Sequence, residues 1–305
     1  MRARKLRWLL IVLGFADFLV AQDLAPRAYL ITPVRSNAVT VTWAFYDGGL
    51  NLVGNIPIET SGRYNVPVLS YYHSLNFFGR SANVTASLPY GFGNFEAAAL
   101  GQSVSAYRSG LFDLGVRLSV NLIGGPAMSG QEFLKWKQGT LLGASLRVIA
   151  PTGQYSANKL VNWGINRWAF KPELGCSQRW GNWVLDGYGG AWFYTRNPEQ
   201  FDLPLPAPQT QEPIGSLEGH LSRDFSRGTW ISLDGNFWWG GVTTLDGIRK
   251  PNTRQTSSRL GATAAFRVSK HNSIKASYSG GTYIRFGGNY QNVSFAWQYS
   301  WFGRP

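Results

Sequence analysis

Charge is scarce in this chain of 305 residues. Only 15% of its residues are Asp, Glu, Lys or Arg, against about a quarter in an ordinary soluble domain. Cysteine is scarcer still: Cys176 stands alone, which excludes an internal disulfide and a thiolate metal site. His73, His220 and His271 fall in unrelated segments, so no metal or cofactor is expected. Beyond the N-terminus no stretch approaches the roughly 20 apolar residues of a spanning helix. That excludes a helical membrane protein. Beyond the N-terminal segment basic runs are missing too, because the remaining lysines and arginines behind the net charge of +13 are scattered singly through strands and loops. Nucleic acid is therefore not an expected partner, and the charge suits anionic lipid headgroups or an anion-friendly interior.

What the chain has instead is glycine, aromatics and alternation. Met1–Ala21 reads as a secretory signal peptide: Arg2, Arg4, Lys5 and Arg7 precede an apolar core, interrupted by Asp17, and then Leu19-Val20-Ala21. Residues 22–36, with Pro26 and Pro33, show no clean period and read as a periplasmic N-terminal arm, or one that tucks into a barrel mouth. From residue 37 to 305 the period is two. In the last strand Val293, Phe295, Trp297, Tyr299 and Trp301 alternate with Ser294, Ala296, Gln298 and Ser300. One face is bulky and apolar, the other small or polar. Such a row needs an apolar partner, and for an exported chain lipid supplies it. Cys176 falls on an apolar row with Phe170, Pro172 and Leu174, as a small wall residue.

Twelve such strands are counted. In the first, Val39, Val41, Trp43 and Phe45 oppose Thr40, Thr42, Ala44 and Tyr46; the third covers Ala82 to Pro89. The fourth sets Phe112, Leu114, Val116, Leu118 and Val120 against Asp113, Gly115, Arg117, Ser119 and Asn121. Links after odd strands are long (47–63, 90–102, 151–161, 195–213, 240–256, 280–291) and most links after even strands are short. Even strand number with long outer and short inner links predicts an all-β fold, a transmembrane antiparallel up-and-down β-barrel. The exception, 124–139, carries Ser129-x-x-Glu132 before Phe133, Leu134 and Trp136, which predicts a short periplasmic helix between strands 4 and 5.

The block Pro151-Thr152-Gly153-Gln154-Tyr155 and Asn162-x-Gly164-x-Asn166-Arg167-Trp168-Ala169-Phe170 resembles a known family. So do Pro26-Arg27-Ala28-Tyr29, Gly79-Arg80, Leu88-Pro89-Tyr90, Ser109-Gly110-Leu111-x-Asp113 and Gly240-Gly241. The resemblance is to the bacterial outer-membrane β-barrels associated with meta-pathway phenol degradation as transporters. It implies a barrel that passes aromatic or other small hydrophobic molecules, and it carries over no catalytic residue.

If the apolar rows face lipid, the opposite rows line the lumen. Asp113, Arg117, Arg147, Arg167, Lys171, Glu173, Asp186, Glu218, His220, Asp234, Arg259, Arg267 and Lys275 then fall inside, because Arg or Lys on the lipid face at midplane costs about 2–4 kcal/mol. They either brace the barrel as ion pairs or form a constriction that selects solutes, and both roles are compatible. Trp163, Trp192, Tyr194, Phe201, Trp230 and Trp238 are candidates for an aromatic mouth, or belong to the interfacial girdle. The expected function is an outer-membrane channel for passive uptake of small hydrophobic or aromatic molecules through a narrow charged lumen. Its partners are the lipid bilayer and, through the C-terminal strand, the outer-membrane assembly machinery. Two alternatives remain. One is a lipid-modifying enzyme using His220 and Ser222 as base and nucleophile, and the other is an adhesive or structural barrel acting through 195–213.

Overall fold

The computed structural model describes residues 25–51, 59–99, 102–202, 205–226 and 228–303. The expected signal peptide, Met1–Ala21, lies outside them. Alternation fixes the wall. Strands β1 (Ser36–Asn51), β2 (Glu59–Phe77) and β3 (Arg80–Ala99) run antiparallel, and β4 (Gln102–Leu111) folds back on the far half of β3. β5 (Leu114–Ile123) pairs with the near half of β3, followed by β6 (Thr140–Ala150), β7 (Ala169–Trp180) and β8 (Trp183–Tyr194). After two short strands, β9 (Asn197–Gln200) and β10 (Ala207–Gln211), the wall resumes with β11 (Ile214–Ser226) and β12 (Thr229–Gly240). Two more short strands, β13 (Thr243–Leu245) and β14 (Ile248–Lys250), precede β15 (Gln255–Arg267), β16 (Asn272–Ile284) and β17 (Gly287–Phe302).

β17 pairs with β1 from Ser36↔Phe302 to Asn51↔Gly287, which closes a 12-stranded antiparallel barrel. Both ends of the wall lie at the rim with the tight turns, the periplasmic side of such barrels. Outside, Leu217, Leu233, Leu260 and Phe295 are all more than half exposed. Inside, Ser119, Ser177, Asp186, His220, Ser222, Asp234 and Arg259 are buried. This is the two-faced wall that the alternation predicts. At the periplasmic rim, α1 (Gly130–Lys135) forms where expected: the Ser129 N–H donates to the Glu132 carboxylate at 2.8 Å and the Glu132 N–H to the Ser129 hydroxyl at 3.3 Å. The first of these bonds holds the Glu132 carboxyl below its usual range.

The wall departs from the expected pattern in its links and in one strand. The stretches 90–102 and 280–291 are no long loops: β3 and β4 continue as a hairpin to Ala99↔Gln102, and only residues 285 and 286 separate β16 from β17, while the link expected over 47–63 shortens to 52–58. In addition, the fourth strand is broken at Phe112-Asp113, which separates β4 from β5. Pro89, opposite the break, has no N–H to donate, and only the Phe112 N–H bridges the gap, to Pro89 O at 3.0 Å. One residue is inserted into the period, as at a β-bulge. Phe112 therefore lines the interior beside Asp113 rather than joining Leu114 on the outer row. The far loops are also less open than their Gly and Pro content suggests: β9, β10, β13 and β14 form a small four-stranded sheet over the extracellular mouth.

The two-faced wall predicts that Leu233→Arg, which puts a cation on the lipid side, destabilises the barrel by about 2–4 kcal/mol in denaturant unfolding from lipid vesicles. An unchanged midpoint would mean that this face does not meet lipid.

Candidate functional site: a plugged, charge-belted lumen

The buried charges form a belt that runs over β5, β7, β11, β12 and β15. Lys171 on β7 binds Glu173 at 2.7 Å and Glu218 on β11 at 2.8 Å. Arg117 on β5 reaches Glu173 at 3.3 Å. His220 lies between Glu218 (3.7 Å from Nε2) and Asp234 on β12 (2.9 Å from Nδ1). Asp234 also accepts the Ser232 hydroxyl at 2.6 Å and the Thr263 hydroxyl of β15 at 2.7 Å. Arg259 continues the belt to Ser279 of β16 at 3.2 Å and sits over the Tyr290 ring. Residues two apart on one strand share a face, and His220 and Asp234 stand directly opposite on neighbouring strands, while Lys171–Glu218 and Arg117–Glu173 reach across the intervening strands β8 and β6.

The described part of the arm, from Ala25, runs inside this belt. Tyr29 is the key: it is buried, and its hydroxyl is 3.0 Å from both Ser145 Oγ and Glu173 Oε1. The Arg117 guanidinium packs over its ring at 4.9 Å. Gly143 and Gly175 make room for that ring, since a Cβ at either would overlap it. Arg27 pairs with Asp224 at 2.7 Å and lies over Trp230 at 4.4 Å, and the Ala28 N–H donates to Tyr188 at 3.0 Å.

Above the arm the interior turns apolar. A cavity of about 370 Å3 lies against β1 to β6, walled by Tyr46, Val66, Phe112, Ile149, Trp163 and Trp192, with Arg117 and Arg147 at its polar end. Trp163 packs on Phe112 at 4.9 Å and on Phe95 at 5.6 Å, and Tyr46 stacks on Tyr64 at 4.8 Å. Toward the extracellular side, Ile165, Trp192, Ile214, Trp238 and Ile284 close into a buried apolar cluster. The loop carrying Trp163 and Ile165 is tied to the wall by Asp113, whose oxygens accept the Gly153 and Ile165 N–H groups at 2.7 Å each.

Among the residues singled out by sequence, Arg117, Lys171, Glu173, Glu218, His220, Asp234 and Arg259 thus meet in or beside the belt. Asp186 is buried on the neighbouring strand, Arg147 borders the cavity, and Asp113 holds the loop. Arg167 lies higher, over the Tyr194 ring and bonded to Gln211. Arg267 is exposed in the periplasmic turn, donating to the Ser269 and Lys270 carbonyls, and Lys275 is exposed near that rim. Neither joins the belt, because strand ends lie beyond the enclosed section. Trp163, Trp192 and Trp238 are buried inside, Tyr194 packs beside them, and Phe201 lies half-buried in the loop after β9. Trp230 belongs to the other end: it starts β12 at the periplasmic rim and holds Arg27, not the mouth. Four further lining residues are not among those singled out: Tyr46 has readable inward parity on the first strand, whereas Tyr64 adjoins, and Phe95 and Tyr290 fall within, stretches that the sequence reads as links.

The belt predicts that Lys171→Met, which leaves Glu173 and Glu218 facing each other in the interior, costs about 3–5 kcal/mol in unfolding. Adding Glu218→Gln should recover much of that loss. Full stability in the single variant would show that the belt does not brace the barrel.

Comparison with known proteins places the fold. The chain is similar to a COG4313 outer membrane channel from Pseudomonas putida F1, with TM-score 0.74 and 18% identity over 92% of this chain and 100% of that one. It is also similar to the transport unit of the autotransporter AIDA-I from Escherichia coli, with TM-score 0.54 and 10% identity over 95% of each chain. No curated protein matches it significantly. Residues 44–295 match the family described as "Putative MetA-pathway of phenol degradation". With that match spanning most of the wall, from the middle of β1 to the middle of β17, the chain belongs to this family of outer-membrane barrels.

Proposed function

We propose that this protein is an outer-membrane channel for small hydrophobic or aromatic molecules, which pass through the lumen by diffusion. The observation that carries this reading is the apolar, aromatic-walled cavity of about 370 Å3 inside an otherwise charged and plugged barrel. Its size lies at the small end of ligand pockets, roughly 300–1,000 Å3, which suits single-ring molecules. A wide general porin would need more than the lumen of twelve strands.

The enzyme alternative has less support. A base and nucleophile must share a proton within hydrogen-bond reach, yet no hydrogen bond joins His220 and Ser222 among the described residues. The His220 ring nitrogens face Asp234 and Glu218 instead, as a brace would require. The similar solved structures named above are a channel and a transport unit.

Two outcomes follow. Proteoliposomes containing the barrel should take up phenol or toluene faster than protein-free vesicles and faster than they take up sugars of similar mass; equal rates with a folded barrel would exclude the proposal. Gly175→Val removes the space occupied by the Tyr29 ring and should raise single-channel conductance severalfold by loosening the arm. An unchanged conductance would show that the arm does not limit flow.

A further inference from the structure

A cation stands on the lipid side of the wall, near its periplasmic end. The outward row of β11 runs through Leu217 and Leu221 and then reaches Arg223, which is exposed, before Phe225. An outward arginine is costly at midplane and tolerated only near the interface. The strand ends three residues on, at Ser226, so about 10 Å of strand sets Arg223 at the depth of the periplasmic headgroups. Its guanidinium carbon lies 5.3 Å from the centroid of the Trp183 ring on β8 and 5.4 Å from that of Phe225. Trp183 is its register partner across the strand pair. Both rings are within reach of cation–π attraction, so the guanidinium is held against the wall rather than left in water. Yet no acid answers it. Among the described residues Arg223 makes no hydrogen bond and no ion pair. Asp224, next in sequence, has the opposite parity and is taken by Arg27 at 2.7 Å and Arg179 at 2.6 Å. The rim beside it is basic too: the Arg267 side chain lies against Gly228 of the following turn, and Lys270 is exposed.

A guanidinium held by rings keeps its N–H donors, in a fork that fits the oxygens of a phosphate. On the outer wall at this depth, phosphate oxygens belong to lipid. We infer that Arg223, Trp183 and Phe225 form a binding site for the phosphate of an anionic phospholipid in the periplasmic leaflet. The phosphate takes the free guanidinium donors. The two rings and Ile231, opposite Arg223 on β12, meet the first acyl carbons. Preference for an anionic headgroup follows from the rim, where Arg267 and Lys270 attract a phosphate whose charge is uncancelled and repel a choline or ethanolamine. The site lies outside the barrel and stands whatever the lumen passes.

Native mass spectrometry of the detergent-solubilised barrel reads this site directly. Phosphatidylglycerol should bind about fivefold more tightly than phosphatidylcholine with the same acyl chains. Arg223→Gln should abolish that preference, and Arg223→Lys should keep part of it. Arg108→Gln removes a cation from the extracellular β3–β4 hairpin instead, and should leave the preference unchanged. Equal binding of the two lipids to the unmodified barrel would overturn the inference without any variant. So would an undiminished preference in Arg223→Gln, or its equal loss in Arg108→Gln. Glycerol phosphate, the headgroup without acyl chains, separates lipid from free anion. It should not bind at the lipid concentrations used; binding as tight as that of the whole lipid would make a soluble phosphate the ligand and overturn the lipid assignment.

Discussion

Hydrocarbon offers nothing to an unpaired backbone N–H or C=O, so a sheet can enter a membrane only if its two edges meet. Here they meet along the pairing of Ser36–Asn51 with Gly287–Phe302. That closure turns an alternating sequence into an inside and an outside. Once the bulky rows are committed to lipid, Lys171, Glu173, Glu218, His220, Asp234 and Arg259 have nowhere to go but the lumen. Brought together out of bulk water, each must find a partner. The belt is the consequence of closure rather than a separate device.

The contents of the barrel follow from the same economy of space. Glu173 braces the wall through Lys171, meets Arg117 and receives the Tyr29 hydroxyl of the arm. One carboxylate thereby couples wall and plug. The arm fills the periplasmic half, and an apolar cluster of Ile165, Trp192, Ile214, Trp238 and Ile284 closes the extracellular side. The cavity between them is what the side chains leave over, against the one part of the wall where Pro89 and the inserted residue at Phe112-Asp113 interrupt the strand ladder.

Much of this was legible in the sequence, because a period of two needs only local information. The lipid rows, the strand number, the capping box at Ser129 and the inward parity of Lys171, Glu218 and Asp234 all follow from it. What could not be read depends on contacts between distant segments. The inward turn of Phe112 requires knowing that Pro89 stands opposite. The four-stranded sheet of β9, β10, β13 and β14 joins two loops that are separate in sequence, and Trp230 looks like any other strand-end aromatic until Arg27 is seen against it. The placement of Tyr29 is of the same kind: Gly143 and Gly175 are ordinary strand glycines until the arm's ring fills the space above them.

Membership of the phenol-degradation family agrees with an aromatic-walled interior, and the physical account stands or falls on which row meets lipid. The chain carries its own probe, since Cys176 is its single thiol and is exposed on the outer row of β7, between the buried Gly175 and Ser177. A nitroxide attached there in lipid vesicles should relax rapidly with dissolved oxygen and remain shielded from a water-soluble nickel chelate. The reverse pattern, strong collision with the chelate and little with oxygen, would place this row in water and contradict the account.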